Sequence, residues 1–130
     1  MSLENEIRSE FFLTVENIVP DEFIRKNTNI LWINEDINFM EYMPSYMLWC
    51  VKNGDSDGNL VCDRTISALA EFGRAKDEMN HLNFKYLCND RQKMVVYNFL
   101  NWCLSSLILI SNKDQVLRSI KNWRIEVSSS

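Results

Sequence analysis

The feature that most limits what this chain can become is a long helical stripe toward its carboxy-terminal end. Val96, Phe99, Leu100, Cys103, Leu107 and Ile110 recur at three- and four-residue spacing, the period that places side chains on one face of an α-helix. Asn89, followed three residues on by Gln92, resembles a capping box, in which two side chains satisfy the free amides of a first turn. The stripe predicts one helix over about 90–111. Its second half adds Leu104, Ile108 and Leu109 on other faces, and a helix that is apolar all round belongs in an interior. A chain built around such a helix is an all-α bundle. The scarcity of turn residues agrees, since three Gly and two Pro are too few for the tight turns of an all-β fold.

About five helices are expected around that central one. Ser2 is placed to open the first, and Leu3, Ile7, Phe11, Val15 and Ile18 share one face until Pro20 stops it. Asp21 to Lys26 fits a short turn of helix, followed by the loop residues Asn27-Thr28-Asn29. The apolar run from Ile30 to Ile33 has no evident strand partner. Asn34 or Asp36 is read as the cap of a short helix through Tyr42. Pro44 then suits the first turn of another helix, which ends at Asn53 before Gly54. Cys62, Ile66, Leu69, Ala70 and Gly73 form the next stripe, with Arg64, Ser67, Glu71 and Arg74 outward. Asn80 to Tyr86 reads as a connection, and Val116, Ile120 and Trp123 as the last amphipathic helix. At 130 residues the whole reads as a single helical domain, 1–130, with a frayed tail at 126–130.

The four cysteines, Cys50, Cys62, Cys88 and Cys103, contain no C-x-x-C pair, and the one histidine is His81. A structural zinc site needs four closely spaced soft ligands, so no metal is expected. Three of the cysteines sit inside apolar helical patterns, where a reduced thiol acts as a small hydrophobe. The acidic start lacks the apolar core of a secretory signal, and no run is long enough for a membrane span. The expectation is a cytoplasmic protein with reduced thiols.

No pattern for catalysis stands out. The chain lacks G-x-S-x-G, a Walker loop, G-x-G-x-x-G and H-E-x-x-H, so neither catalytic residues nor a cofactor are expected. His81 beside a loop reads as a solvated side chain, and Glu35 with Glu41 as surface rather than an acid–base pair. Asp55, Asp57 and Asn59 begin like a calcium loop. Leu60 stands at the glycine position and Ile66 at the final glutamate, so the motif fails.

Charge is distributed unevenly. Residues 1–45 hold nine acids (Glu4, Glu6, Glu10, Glu16, Asp21, Glu22, Glu35, Asp36, Glu41) against Arg8, Arg25 and Lys26. Residues 91–130 are net basic, but a sequence pI near 5.0 and the lack of a dense basic stripe speak against nucleic acid. Attraction between the two halves across the fold is the plainer reading.

The densest unusual segment is Phe39-x-x-Tyr42-Met43-Pro44-x-Tyr46-Met47, continued by Leu48-Trp49-Cys50. Met and aromatic side chains bury large areas, so core is the first reading and a partner groove the second. Together with Gln92-x-x-x-Val96-x-x-Phe99-Leu100-x-Trp102, this segment resembles a family of small bacterial proteins of unknown function. That family pairs an aromatic-Leu-Pro-Ala-aromatic-like segment with a later Gln-x-x-x-Val-x-x-Phe-Leu helix. The resemblance covers about residues 39–103, with Ser45 where the family tends to have Ala. It implies a kinship and brings no mechanism.

The function expected is binding of another protein without catalysis, as an immunity protein or inhibitor neutralising a basic partner or toxin. Electrostatic complementarity would then run through Glu35, Asp36, Glu41, Asp55 and Asp57. The alternative is a small-molecule-binding protein or enzyme with a pocket lined by Tyr42, Tyr46, Trp49 and Gln92. A structural homodimer is the third class.

Overall fold

The computed structural model describes residues 2–33, 38–53, 59–74, 84–106 and 113–123. The first helix, α1 (Leu3–Glu10), opens as its sequence dictates, with the Ser2 hydroxyl accepting the Asn5 amide at 3.2 Å and Glu4 and Glu6 in the first turn. It stops well short of Ile18. Phe11 caps it, and Phe12 takes a left-handed φ of 57°. The Phe12 amide donates to the Ser9 carbonyl and the Leu13 amide to the Arg8 carbonyl, at 3.4 and 2.9 Å. This is a Schellman ending with phenylalanine where glycine is usual, a conformation that costs a non-glycine residue about 1–2 kcal/mol. Thr14 and Asn17 then hold the backbone in a turn. The Thr14 amide donates to Asn17 Oδ1 at 2.7 Å, and Asn17 Nδ2 donates to the Phe12 carbonyl at 3.0 Å. Val15, expected on the buried stripe, is 93% exposed.

After Pro20, α2 (Asp21–Lys26) is fastened by i,i+4 ion pairs, Arg25 to Asp21 at 2.7 Å and Lys26 to Glu22 at 3.1 Å. The apolar run that follows forms a 3-10 turn, Ile30–Trp32, whose Leu31 amide donates to the Asn29 side chain. Next comes α3 (Phe39–Asn53), where the sequence promised two helices meeting at Pro44. Its start is capped by Asn38, whose side chain accepts the Met40 amide at 2.9 Å. Pro44 lies inside the helix and removes the bond that would run to the Met40 carbonyl. Burial of all eight residues from Met43 to Cys50 outweighs that loss. The caps proposed at Asn34 and Asp36 lie outside the described residues.

The remaining helices are α4 (Asn59–Arg74), α5 (Phe84–Leu87), α6 (Asp90–Ser106) and α7 (Lys113–Trp123). The capping box at the head of α6 forms as expected: the Asn89 amide donates to Gln92 Oε1 at 2.9 Å and the Gln92 amide to Asn89 Oδ1 at 2.8 Å. Of the segment read as a connection, Phe84–Tyr86 belongs to the single-turn α5, and the rest lies outside the described residues. No strand occurs among the described residues. No helix among them is long and apolar enough to cross a membrane.

Packing follows from these faces. Buried residues form one cluster that draws on every helix, with α4 against α7, α6 against α7, α1 against α3 and α6, and α3 against α4. Within the described part of α6, Val95, Val96, Phe99, Leu100 and Cys103 face inward while Met94 and Asn101 are exposed. It forms one wall of the core, and α3 is the more enclosed helix. Residues 107–110, expected to continue α6, and the tail at 126–130 lie outside the described residues. Aromatic rings link the elements through Phe84, which sits 6.2 Å from Phe11, 5.2 Å from Phe72 and 5.8 Å from Trp123 between ring centres. The α4–α7 seam is tight at Gly73. A Cβ on Gly73 would lie 3.0 Å from Asn122 Cβ and 3.0 Å from Trp123 Nε1, so only glycine fits without displacement. Trp123 Nε1 donates to the Leu69 carbonyl at 2.8 Å, leaving the buried indole satisfied.

Candidate functional site

Of the four side chains proposed to line a pocket, Tyr42, Tyr46 and Trp49 follow one another along α3 and Gln92 stands at the start of α6, and each makes a structural contact of its own. Tyr46 is fully buried, and its hydroxyl donates to the Asn27 carbonyl at 2.5 Å, closing the loop after α2 onto α3. Burial pushes that phenol well above its ordinary pKa, with the neighbouring Tyr42 adding to the effect. Trp49 donates its indole N–H to Asp21 Oδ1, and Arg25 lies 5.4 Å from its ring centre. Tyr42 packs edge-on against Phe23. Gln92 completes the α6 cap and donates through Nε2 to the Glu10 carbonyl at 3.0 Å, tying the α6 start to the α1 end. Buried polar groups of this kind fix a fold when every bond is made. Here the polar tips of Tyr46, Trp49 and Gln92 bond to the Asn27 carbonyl, Asp21 and the Glu10 carbonyl.

Only Trp49 of the four borders the described cleft, which measures about 140 Å³. Ile18, Val19, Ile24 and Leu48 make its apolar walls, and Lys52 stands at its rim. The Ser45 hydroxyl inside it accepts the Val19 amide at 3.0 Å. A cleft of this size is below the usual range for a drug-sized ligand.

Of the proposed contact acids, Glu41 is exposed on the first turn of α3. Glu35, Asp36, Asp55 and Asp57 lie outside the described residues, as does His81. The wider acidic half is more legible. Arg8, Arg25 and Lys26 each pair with an acid one turn away, namely Glu4, Asp21 and Glu22. Lys52 also approaches Glu4, at 3.7 Å. Glu6, Glu10, Glu16 and Glu41 have no ion pair among the described residues.

All four cysteines are free and buried. Desolvation raises the Cys50 and Cys103 thiols well above the ordinary range, with Cys62 beside both, and lifts Cys88 to about 12. A thiol so protonated is a poor nucleophile. No group of three or more metal-ligating side chains gathers among the described residues.

Two exposed aromatic residues carry no expectation from sequence. Trp32 is 73% exposed, with Arg64 5.0 Å over its ring, and Phe12 is equally exposed on its left-handed turn. The signal for the second was available in Thr14 and Asn17, turn-forming residues set inside an apparent helical stripe. No protein-family model, curated protein or solved structure matches the chain at a significant level.

Proposed function

We propose that this is a non-catalytic, cytoplasmic protein-binding domain of bacterial type, an inhibitor or immunity protein that covers a more basic protein with its acidic amino-terminal half. The observation that carries this reading is the charge left over after local pairing. Every base in the described part of residues 1–45 is engaged by an acid one turn away, while Glu6, Glu10, Glu16 and Glu41 remain without an ion pair among the described residues. Charge that the fold leaves unbalanced is available to steer a basic partner and to fix its orientation. The engagement of Tyr46, Trp49 and Gln92 in structural bonds supports binding over catalysis. In the sequence, Glu35 and Asp36 precede α3 and Asp55 and Asp57 follow it. The kinship with small bacterial proteins of unknown function belongs to the same proposal, resting on its motif residues in α3 and α6.

The test is capture of a basic partner at low and high salt, followed by charge reversal at Glu35, Asp36, Glu41, Asp55 and Asp57. Exposed charges are screened beyond about 8–10 Å near physiological ionic strength. Capture is expected to fall with salt and with the reversals. Capture indifferent to both would refute an acidic binding face. A small molecule that raises the melting temperature, with no partner captured, would favour the ligand-binding alternative and direct mutagenesis to the cleft beside Trp49.

A further inference from the structure

The turn that follows α1 displays apolar side chains at a cost to the fold. Phe12 holds a left-handed φ of 57° and is 73% exposed, and Val15 is 93% exposed. An αL position at the end of a helix suits glycine. Phenylalanine there combines a strained backbone with an aromatic ring in water. Such outliers persist where the surroundings over-determine them, and here they do. The Ser9 and Arg8 carbonyls accept the Phe12 and Leu13 amides. The Glu10 carbonyl accepts Gln92 Nε2, and the Phe12 carbonyl accepts Asn17 Nδ2. The turn is thus locked on both sides, with its two apolar side chains outward.

The same end of the bundle gathers more apolar surface. The Phe11–Phe84 ring contact and the Gln92–Glu10 bond bring α5 and the α6 start to the end of α1. Of the seven exposed large hydrophobic residues described, Phe12, Val15, Tyr86 and Leu87 belong to this end. Exposed apolar residues that collect in one place mark contact surfaces. Glu10 and Glu16 bracket the turn in sequence without an ion pair among the described residues. Of the bases on α5 and the α6 start, Lys85 donates to the Asn122 carbonyl on α7, while Arg91 and Lys93 stand against Asp90, so the acidic charge is confined to the 10–17 turn itself.

We infer that the 10–17 turn is a preorganised docking knob for a protein surface that offers an apolar socket bordered by Lys or Arg. Phe12 and Val15 fill the socket, and Glu10 and Glu16 meet its basic rim. Because the turn is already ordered, little conformational entropy is lost on docking. The acids favour this occupant over an anionic bilayer, which they would repel. This inference rests on the basic-partner reading above and places its contact at the end of α1.

The experiment titrates the isotope-labelled full chain with an amphipathic Leu/Lys helical peptide of about fourteen residues, the basic apolar surface in its simplest form. A Leu/Glu peptide of the same pattern and anionic phospholipid vesicles are the parallel arms. Amide shifts with the Leu/Lys peptide are expected at residues 10–17 and at Leu87. Phe12→Gly, which suits the turn, and Val15→Ser should each weaken the peptide at least tenfold while the remaining spectrum is kept. Shifts confined to Glu41 and residues 34–37 and 54–58 would overturn the knob and leave the acidic-face reading standing. Equal response to the Leu/Glu peptide, binding to vesicles alone, or wild-type affinity in Phe12→Gly would overturn the inference.

Discussion

Two aromatic residues at opposite ends of the chain meet opposite fates. Trp123, on α7, is buried against α4 with its indole N–H bonded to the Leu69 carbonyl and its ring beside Phe84. Gly73 makes the room for it. Phe12, past the end of α1, is turned into solvent on a backbone conformation that opposes it. At the first site the packing of the ring and the hydrogen bond of its indole both lower the free energy of the fold. At the second a side chain and a backbone angle both raise it, while neighbouring hydrogen bonds keep the arrangement in place. Conflicts of this kind between local preference and fold concentrate at functional sites. The carboxy-terminal seam is therefore read as stability and the amino-terminal turn as contact.

That contrast is sharpened by substitutions on each side. The largest effect is expected for Trp123→Ala, which removes the ring, opens a cavity and leaves the Leu69 carbonyl short of a partner. It should cost about 3–5 kcal/mol in chemical denaturation; a loss under about 1 kcal/mol would mean the seam is peripheral. Gly73→Ala should cost about 1–3 kcal/mol, because the new methyl meets Asn122 Cβ and the Trp123 ring at distances only movement of α7 relieves. A neutral result would show that the helices separate freely. Gln92→Ala takes away both a cap and the tie to Glu10, and a loss of about 1–2 kcal/mol in the unfolding midpoint is expected.

Much of this architecture is legible in the residue pattern alone. The capping box at Asn89 and Gln92 and the stripe through Phe99 and Cys103 locate α6, and the Val116–Trp123 spacing locates α7. Cys62 through Gly73 reads correctly as an amphipathic helix. Misreadings arise where one residue serves against its propensity. Pro44 announces a helix start and instead sits within α3, because the apolar residues around it gain more from burial than one hydrogen bond is worth. Val15 and Ile18 continue the helical stripe of Leu3, Ile7 and Phe11 by spacing, but Thr14 and Asn17 offer the backbone a competing set of bonds. Phe84 hides in a short segment with no periodicity, although it joins three other aromatic rings. Tyr46, Trp49 and Gln92 stand out in the sequence as polar-tipped residues. Their partners, Asn27, Asp21 and Glu10, lie far off along the chain, so spacing carries no trace of them.

The acid side of the pH profile carries a smaller effect. The Arg25 guanidinium beside Asp21 holds its carboxyl below the ordinary 3.8, and the Trp49 indole helps, against some desolvation. A depressed folded-state pKa contributes stability above the unfolded value, and that contribution is lost as pH falls through the folded one. Asp21→Asn should therefore be less stable than the parent near neutrality, by up to about 1 kcal/mol for so exposed a pair. The gap should close as the pH drops below the ordinary carboxylate range. A gap that stays constant down to the lowest pH reached would remove Asp21 from the account.

The most direct measurement of the contrast is the stability of Phe12→Gly. Relief of the left-handed strain, about 1–2 kcal/mol, outweighs the extra freedom glycine gives the unfolded chain, about 0.5–1 kcal/mol. The denaturant midpoint is predicted to rise by the equivalent of about 0.5 kcal/mol with the slope unchanged. A midpoint that falls by about 1 kcal/mol or more would show Phe12 to be a structural residue and would contradict the reading of this turn as a contact held at the expense of stability.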